Sequence, residues 1–258
     1  MLDFYKFSHF KNYDTLLHTV TTKSTLLPYS FSLALHTGEY SHNIIQNREK
    51  ISEYFSHQSI LNYIVANQTH SDHIHIIDKQ ETKGWKSIED AISDCDALIT
   101  NKPNIILTIL TADCVPILLY DKEKQVVAAV HAGWKGTKSE ILSKTILKMI
   151  DTYQCDTKDI IVGIAPSIGA CCYEVDYNVA QHFSNIPQGY TRKNDKYMLD
   201  LPYINKQQLL EIGILEENIE MSNICTACEV DRFFSYRKEN GCSGRFMSMI
   251  GLKDNHEN

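Results

Sequence analysis

Four short runs of β-branched and aliphatic side chains limit what this chain can fold into: Ile105–Leu110, Val115–Tyr120, Val126–Val130 and Ile160–Ile164. Each is too short for a core helix and the right length for a strand buried on both faces, so the centre of the fold is expected to be sheet. Between the third and fourth runs, Leu142, Ile146, Met149, Ile150 and Tyr153 recur at helical spacing. Thr137 with Glu140 has the pattern of a capping box, which predicts a helix laying its apolar stripe on that sheet. Further helical patterns fall on Asn43–Phe55, Asn178–Phe183 and Asn205–Glu211, the last with Gly213 placed to stop it. Phe233–Arg237 and Phe246–Ile250 flank a polar stretch containing Asn240-Gly241 and Gly244, which predicts a hairpin or a tight loop. Helices and strands mix without the strict alternation of a doubly wound fold, so the class is α+β. No repeat, low-complexity tract or Pro/Gly/Ser-rich linker divides the 258 residues, and one domain over 1–258 is expected.

Hydrophobic residues make up 43% of the chain and charged residues 22%, a balance that suits a packed globular body rather than a disordered chain. With a formal net charge of -7 there is no broad basic surface to neutralise a phosphate backbone, which argues against nucleic-acid binding. Small anionic ligands remain open to local arginines. The first residues break their apolar positions with Asp, Lys, His and Asn, unlike a secretory signal. No run approaches the ~18 apolar residues needed to span a bilayer, so neither membrane insertion nor export is expected, and a cytoplasmic location follows. In a reducing compartment the eight cysteines are packed thiols, metal ligands or reactive groups rather than disulfides.

Three polar segments interrupt this apolar framework. Thr111-Ala-Asp113-Cys114-Val-Pro116 sets an acid and a thiol between two strand-like runs, and Pro116 removes a ladder donor, which suits a bend that aims a side chain out of the sheet. On that segment alone, a buried Cys beside a turn-forming Asp is an equal reading. His131-Ala-Gly133-Trp-Lys-Gly136-Thr137 ends a strand on a histidine and turns through two glycines toward a helix whose first amides can face an anion, although an ordinary turn with a hydrogen-bonded His remains open. Gln68-Thr-His70-Ser-Asp-His73-Ile-His75 offers three histidines; alternation sets His73 and His75 on one face and His70 on the other, with exposed polar roles favoured for His73 and His75. One Cys and two His brought from separate strands make a tetrahedral N/N/S set with one open position, the arrangement of catalytic rather than structural zinc. His70, Cys114 and His131 are the candidate ligands, with Asp113 beside the thiol to orient water or shuttle a proton. Cys225-Thr-Ala-Cys228 lacks a second metal-binding pair in sequence, and adjacent Cys171-Cys172 is poorly suited to one tetrahedral ion, so both pairs are expected to be structural. Arg48, Lys135, Arg237 and Arg245 lie beside these segments, and a guanidinium fork can take phosphate or carboxylate.

At these residues the chain resembles the laccase-domain, polyphenol-oxidase-like family associated with purine nucleoside phosphorylase activity. The resemblance rests on Gln68-Thr-His70, Asp94-Cys-Asp96 through Thr100, Thr111-Ala-Asp-Cys114-Val-Pro, His131-Ala-Gly-Trp-Lys-Gly136, Ile164-Ala-Pro-Ser-Ile-Gly169-Ala-Cys-Cys-Tyr173, Cys225-Thr226, and Phe234-Ser-Tyr-Arg237 followed by Gly244-Arg245. It implies mixed β-sheets packed as a sandwich core flanked by helices. It further implies zinc held by His70, Cys114 and His131, and substrate contacts that include Arg48, Gln68, Arg237 and Arg245. The implied chemistry is phosphorolysis of adenosine, inosine or methylthioadenosine, with deamination of adenosine as a second activity. One departure is Thr21-Thr22-Lys23-Ser-Thr-Leu-Leu, where the family carries Thr-Arg followed by glycines. Two other activities attach to relatives: copper-dependent phenol oxidation, since a His/His/Cys set also takes Cu, and amide hydrolysis that edits peptidoglycan precursors. One mononuclear site does not supply the several electrons that reduce oxygen to water, which ranks oxidation below nucleoside chemistry. A non-catalytic binding module has no need of an open metal position.

Overall fold

The computed structural model describes residues 2–55, 60–241 and 243–254. The strands, in chain order, are β1 (Phe4–Tyr5), β2 (Leu16–Thr21), β3 (Asn62–Val65), β4 (Ile74–Ile76), β5 (Ala97–Thr100), β6 (Ile105–Thr111), β7 (Val115–Asp121), β8 (Val126–Ala132), β9 (Ile160–Ile164), β10 (Glu174–Val175), β11 (Tyr190–Lys193), β12 (Lys196–Leu199), β13 (Ile219–Met221) and β14 (Phe246–Leu252). The helices are α1 (Ser41–Phe55), α2 (Trp134–Lys138), α3 (Ile141–Tyr153), α4 (Tyr177–Ala180) and α5 (Leu201–Glu211). A five-stranded sheet runs β1-β2-β14-β6-β3, antiparallel except where β3 lies along β6. A six-stranded sheet runs β13-β9-β7-β8-β5-β4, antiparallel except at its two edges. The strands β10, β12 and β11 make a small separate sheet.

Side-chain alternation explains why the central runs are apolar throughout. In β7, Leu118 and Tyr120 face the five-stranded sheet, meeting Leu107, Ile109, Phe246 and Ile250, while Ile117 and Leu119 face the other way. That second face receives Leu142, Ile146 and Met149 from α3 and Ile204 and Leu209 from α5. Across the five-stranded sheet, Ile106, Leu110, Met247 and Met249 turn outward to meet Ile51 and Phe55 of α1. The architecture is thus α+β: two mixed sheets packed as a sandwich with a helical layer on each outer face, so both faces of the central strands are buried. No helix of the described residues is long and apolar enough to cross a membrane.

Several local expectations change. Thr137 and Glu140 do not form a capping box: Thr137 lies inside α2, where its buried hydroxyl accepts from Asn205 Nδ2 at 3.1 Å, and Glu140, at φ +56°, separates α2 from α3. The segment Phe233–Arg237 forms turns, not the first arm of a hairpin, with Asn240 and Gly241 in the left-handed region at a tight loop. Lys23, at the position that departs from the family pattern, ties that segment down by bonding the Val230 carbonyl and the Glu239 carboxylate, both at 2.8 Å.

Arg48 also differs from expectation. It projects from α1 into the interior, where it is 1% exposed. Its Nε and Nη2 donate to the Leu33 carbonyl at 2.9 and 2.7 Å, and Nη1 donates to the carbonyls of Gly84 and Trp85 at 2.6 and 2.8 Å. Burial brings its pKa down to about 10, which leaves it charged at neutral pH. With four of its five N–H groups committed to three carbonyls of two loops, this guanidinium acts as a packing group. Arg48→Met should therefore leave those carbonyls unsatisfied and remove at least about 3 kcal/mol of stability, lowering Tm by roughly 6–12 °C. Calorimetry on the variant checks this; an unchanged Tm would overturn the packing role and return Arg48 to the candidate substrate contacts.

Candidate metal centre

Because β6 belongs to one sheet and β7 to the other, the chain must cross between layers at Ala112-Asp113-Cys114. Asp113 makes the crossing at φ +91°, a conformation that side chains other than glycine rarely adopt. Three hydrogen bonds hold it there: the Ile168 amide donates to its carbonyl at 2.9 Å, the Thr226 hydroxyl to Oδ1 at 2.7 Å and the Arg237 amide to Oδ2 at 2.7 Å. Pro116 sits inside β7 just before the ladder to β9 begins at Ile117, so the irregularity lies at Asp113. Cys114 emerges from the crossing half-buried at one end of the sandwich.

The neighbouring strand β8 carries His131, whose amide donates to the Asp96 carbonyl and whose Nδ1 donates to Asp96 Oδ1, both at 2.7 Å. Nε2 is therefore the histidine nitrogen left free to act as a ligand. The same fully buried carboxylate accepts the amides of Thr69, His70 and Ser71 at 3.2, 3.1 and 2.7 Å, and the Ser71 hydroxyl at 2.6 Å. This cradle bends the loop after β3 so that His70 sits at φ +61° and reaches Cys114, Nε2 to Sγ 3.8 Å. The rings of His70 and His131 meet edge to face with centroids 4.9 Å apart. Gly133 leaves them room: a Cβ there would lie 3.0 Å from His70 Cδ2 and 3.1 Å from Cys114 Sγ.

The donor atoms of His70, Cys114 and His131 all lie within 4.8 Å of one another. Bond lengths typical of zinc place N and S ligands roughly 3.3–3.8 Å apart around a tetrahedron, so after small side-chain rotations His70, Cys114 and His131 would hold a single ion. The electrostatics suit a cation. Burial alone pushes the Cys114 thiol up, but the charges and hydrogen bonds of His131 and His70 outweigh it and bring the thiol down to about 6. Burial likewise lowers His131, while Cys114 and Asp96 more than reverse that and raise it to about 9. Asp96 is held well below the ordinary carboxylate range because hydrogen bonds from His131 and Ser71 overcome its burial. A metal bound by Cys114 and His131 would take the place of protons at these two groups.

The structure brings together the three expected ligands, although only His131 comes from a strand. His73 and His75 stay outside the cluster: both are exposed, and His73 pairs with Asp94 at 2.9 Å. Gln68 does not face the centre with a free amide; it bonds the Leu110 backbone at both ends, donating to its carbonyl and accepting from its amide, each at 2.8 Å, as a continuation of the β3–β6 ladder. Asp113 has its carboxylate oxygens bonded by the Thr226 hydroxyl and the Arg237 amide, which makes it a tie between loops. Arg237 lies over the Tyr173 ring with Nη1 on the Glu174 carbonyl at 2.7 Å. Arg245 is half-buried, feels the charges of Cys114 and Asp113, and lies over Tyr236. Asp96 is visible in the sequence only within the family-like run Asp94-Cys-Asp96, with no role attached; its signal is an acid just before the largely apolar run Ala97–Thr100. Nor do the two cysteine pairs stand apart, since Cys171, Cys172, Cys225 and Cys228 converge in a second cluster. A concavity of about 920 Å³ lined by Ser52, Tyr63 and Trp85, among others, shares no residue with the centre.

Residues 18–253 match the family model described as multi-copper polyphenol oxidoreductase laccase. A purine nucleoside phosphorylase of Clostridium acetobutylicum is 36% identical over 257 residues, covering 96% of this chain and 97% of that protein. Purine nucleoside phosphorylase YlmD of Bacillus subtilis is 32% identical over 232 residues, covering 87% of this chain and 83% of that protein. Among solved structures, YlmD from Geobacillus stearothermophilus superposes with a TM-score of 0.89 at 28% identity, over 96% of this chain and 94% of that one.

If Asp96 fixes the His131 tautomer and the His70 loop together, Asp96→Asn should weaken metal retention at this centre by roughly 10–100-fold, while His73→Ala should leave it unchanged. Competition with a chelator, read by metal analysis, checks both; a loss in His73→Ala equal to that in Asp96→Asn would mean that the wrong histidine face had been chosen.

Proposed function

This chain belongs to the polyphenol oxidoreductase laccase family, and on that premise we propose that it is a zinc-dependent enzyme of purine nucleosides. It splits adenosine, inosine or methylthioadenosine with phosphate into free base and sugar 1-phosphate, and deaminates adenosine as a second activity. The observation that carries this reading is the three-donor centre, in a chain whose relatives are named purine nucleoside phosphorylases. Two nitrogens and a thiolate suit zinc, and they also accept copper. When bound, the metal supplies a Lewis acid.

The chain's own residues do the rest. Asp96 keeps His131 in the tautomer that presents Nε2, and it fixes His70 through the loop amides. Arg245 uses Nη1 on the carbonyls of Ser243 and Gly244, which orients the guanidinium while leaving its other nitrogens for an oxyanion. Arg237 is oriented similarly by Glu174 and Tyr173. Two oriented guanidinium groups beside the centre suit binding of the attacking phosphate, which needs charge and directional donors more than it needs a proton shuttle. Asp113 positions the Arg237 backbone and so sets the distance between the phosphate donors and Cys114. Phenol oxidation ranks lower, because three donors hold one ion and reduction of oxygen to water requires several electrons.

The deciding experiment incubates metal-analysed protein with adenosine, with and without phosphate, and separates the products. Adenine should form only with phosphate, and inosine should form without it. Cys114→Ala should reduce both to background while the protein stays folded by circular dichroism. Absence of both products from protein that carries metal at this centre would overturn the nucleoside assignment and make cell-wall peptides the next substrates to try.

A further inference from the structure

We propose that Cys171, Cys172, Cys225 and Cys228 form a second, structural metal site that binds one zinc ion through four thiolates and clasps two loops that wall the first centre. β9 and β13 run parallel, side by side, so the loops that leave their ends start together. The loop after β9 carries Cys171 and Cys172, and the loop after β13 carries Cys225 and Cys228. The loops are stitched by backbone bonds on either side of Cys225, from the Ser167 amide to the Ile224 carbonyl at 3.2 Å and from the Thr226 amide to the Ser167 carbonyl at 3.0 Å.

All four Sγ atoms lie within 4.8 Å of one another, and Cys228 Sγ stands 3.5 Å from both Cys171 and Cys172. Four thiolates at about 2.3 Å from zinc form a tetrahedron with edges of roughly 3.8 Å, close to these separations. One sulfur equidistant from two others is the geometry of a shared ion rather than of a disulfide, which joins one pair at about 2 Å. Cys225 to Cys228 forms a tight turn, with the amides of Cys228 and Glu229 on the Cys225 carbonyl at 3.1 and 2.9 Å. The Gly169 amide donates to Cys225 Sγ at 3.3 Å, so a backbone dipole is already aimed at a sulfur that would carry negative charge. Packing does not account for the cluster, since Cys171 and Cys228 are exposed and a thiol gains little from burial that it does not have. Soft sulfur donors in a closed set of four select zinc over hard cations and leave no position for substrate. Forming the site binds zinc, releases the thiol protons to solvent and changes no oxidation state.

The clasp acts at a distance from the chemistry but on its frame. Ile168 and Thr226, one from each loop, both bond Asp113, the residue before Cys114. Tying the loops together therefore steadies the crossing from which Cys114 projects.

The test is metal analysis of the full chain, with wild type expected to hold two zinc ions. Cys114→Ala should retain one zinc, and after exchange for cobalt it should display the intense absorption of tetrahedral cobalt with thiolate charge transfer. Cys228→Ser in that background should lose both the second metal and the charge-transfer bands; should it fold poorly, zinc titration of the reduced Cys114→Ala protein, followed by protection of four thiols from alkylation, gives the same answer. A metal-free Cys114→Ala protein that takes up no zinc with its thiols reduced, or a native Cys171–Cys228 or Cys172–Cys228 disulfide found by mass spectrometry, would overturn the proposal. Neither result depends on turnover of a nucleoside.

Discussion

The carboxylate of Asp96 is the interaction on which the candidate metal centre depends. An isolated buried carboxylate would cost several kcal/mol, yet this one accepts a ring nitrogen, three successive amides and a hydroxyl. Those donors come from two places, strand β8 and the loop after β3, so the acid converts two independent segments into one rigid object. His131 could not keep its tautomer, nor His70 its left-handed backbone, without the same pair of oxygens. The site is thus organised by a residue that would not itself touch a metal.

The sandwich supplies the other half of that organisation. The chain changes sheets between β6 and β7, and the strain of doing so is concentrated at Asp113, where bonds from the loops after β9 and β13 and from the segment at Arg237 converge. Backbone strain held by surrounding structure is characteristic of functional positions. Here two such positions, His70 and Asp113, adjoin Cys114, the first through its ring and the second through the chain.

The central strands were legible because both of their faces are buried, which makes them continuous apolar runs whose length alone distinguishes them from helix. The candidate ligands were legible for the opposite reason, as polar interruptions of such runs. What misled were residues whose partners lie far away in sequence. Thr137 and Glu140 satisfy a local capping pattern, but the Thr137 hydroxyl is claimed by Asn205. Arg48 is of a type found mostly at surfaces, and nothing beside it announces that Leu33, Gly84 and Trp85 will turn their carbonyls toward it. The amide of Gln68 imitates a strand residue only once Leu110 lies alongside. The cysteine pairs looked unrelated because their meeting depends on β9 and β13 being parallel neighbours, a pairing that no local pattern encodes.

The strand order β2-β14-β6 places the strand made after all the others of its sheet at the centre of that sheet. During synthesis, β2 and β6 emerge long before the segment that joins them, and each presents an open edge with unpaired amides and carbonyls until Phe246–Leu252 arrives. The nascent chain therefore carries a gap in its inner wall for most of its elongation, a period in which an extended segment of another chain can occupy the space meant for β14. Protection of that gap, by speed of closure or by a chaperone that recognises exposed strand edges, becomes a requirement for producing the protein in quantity.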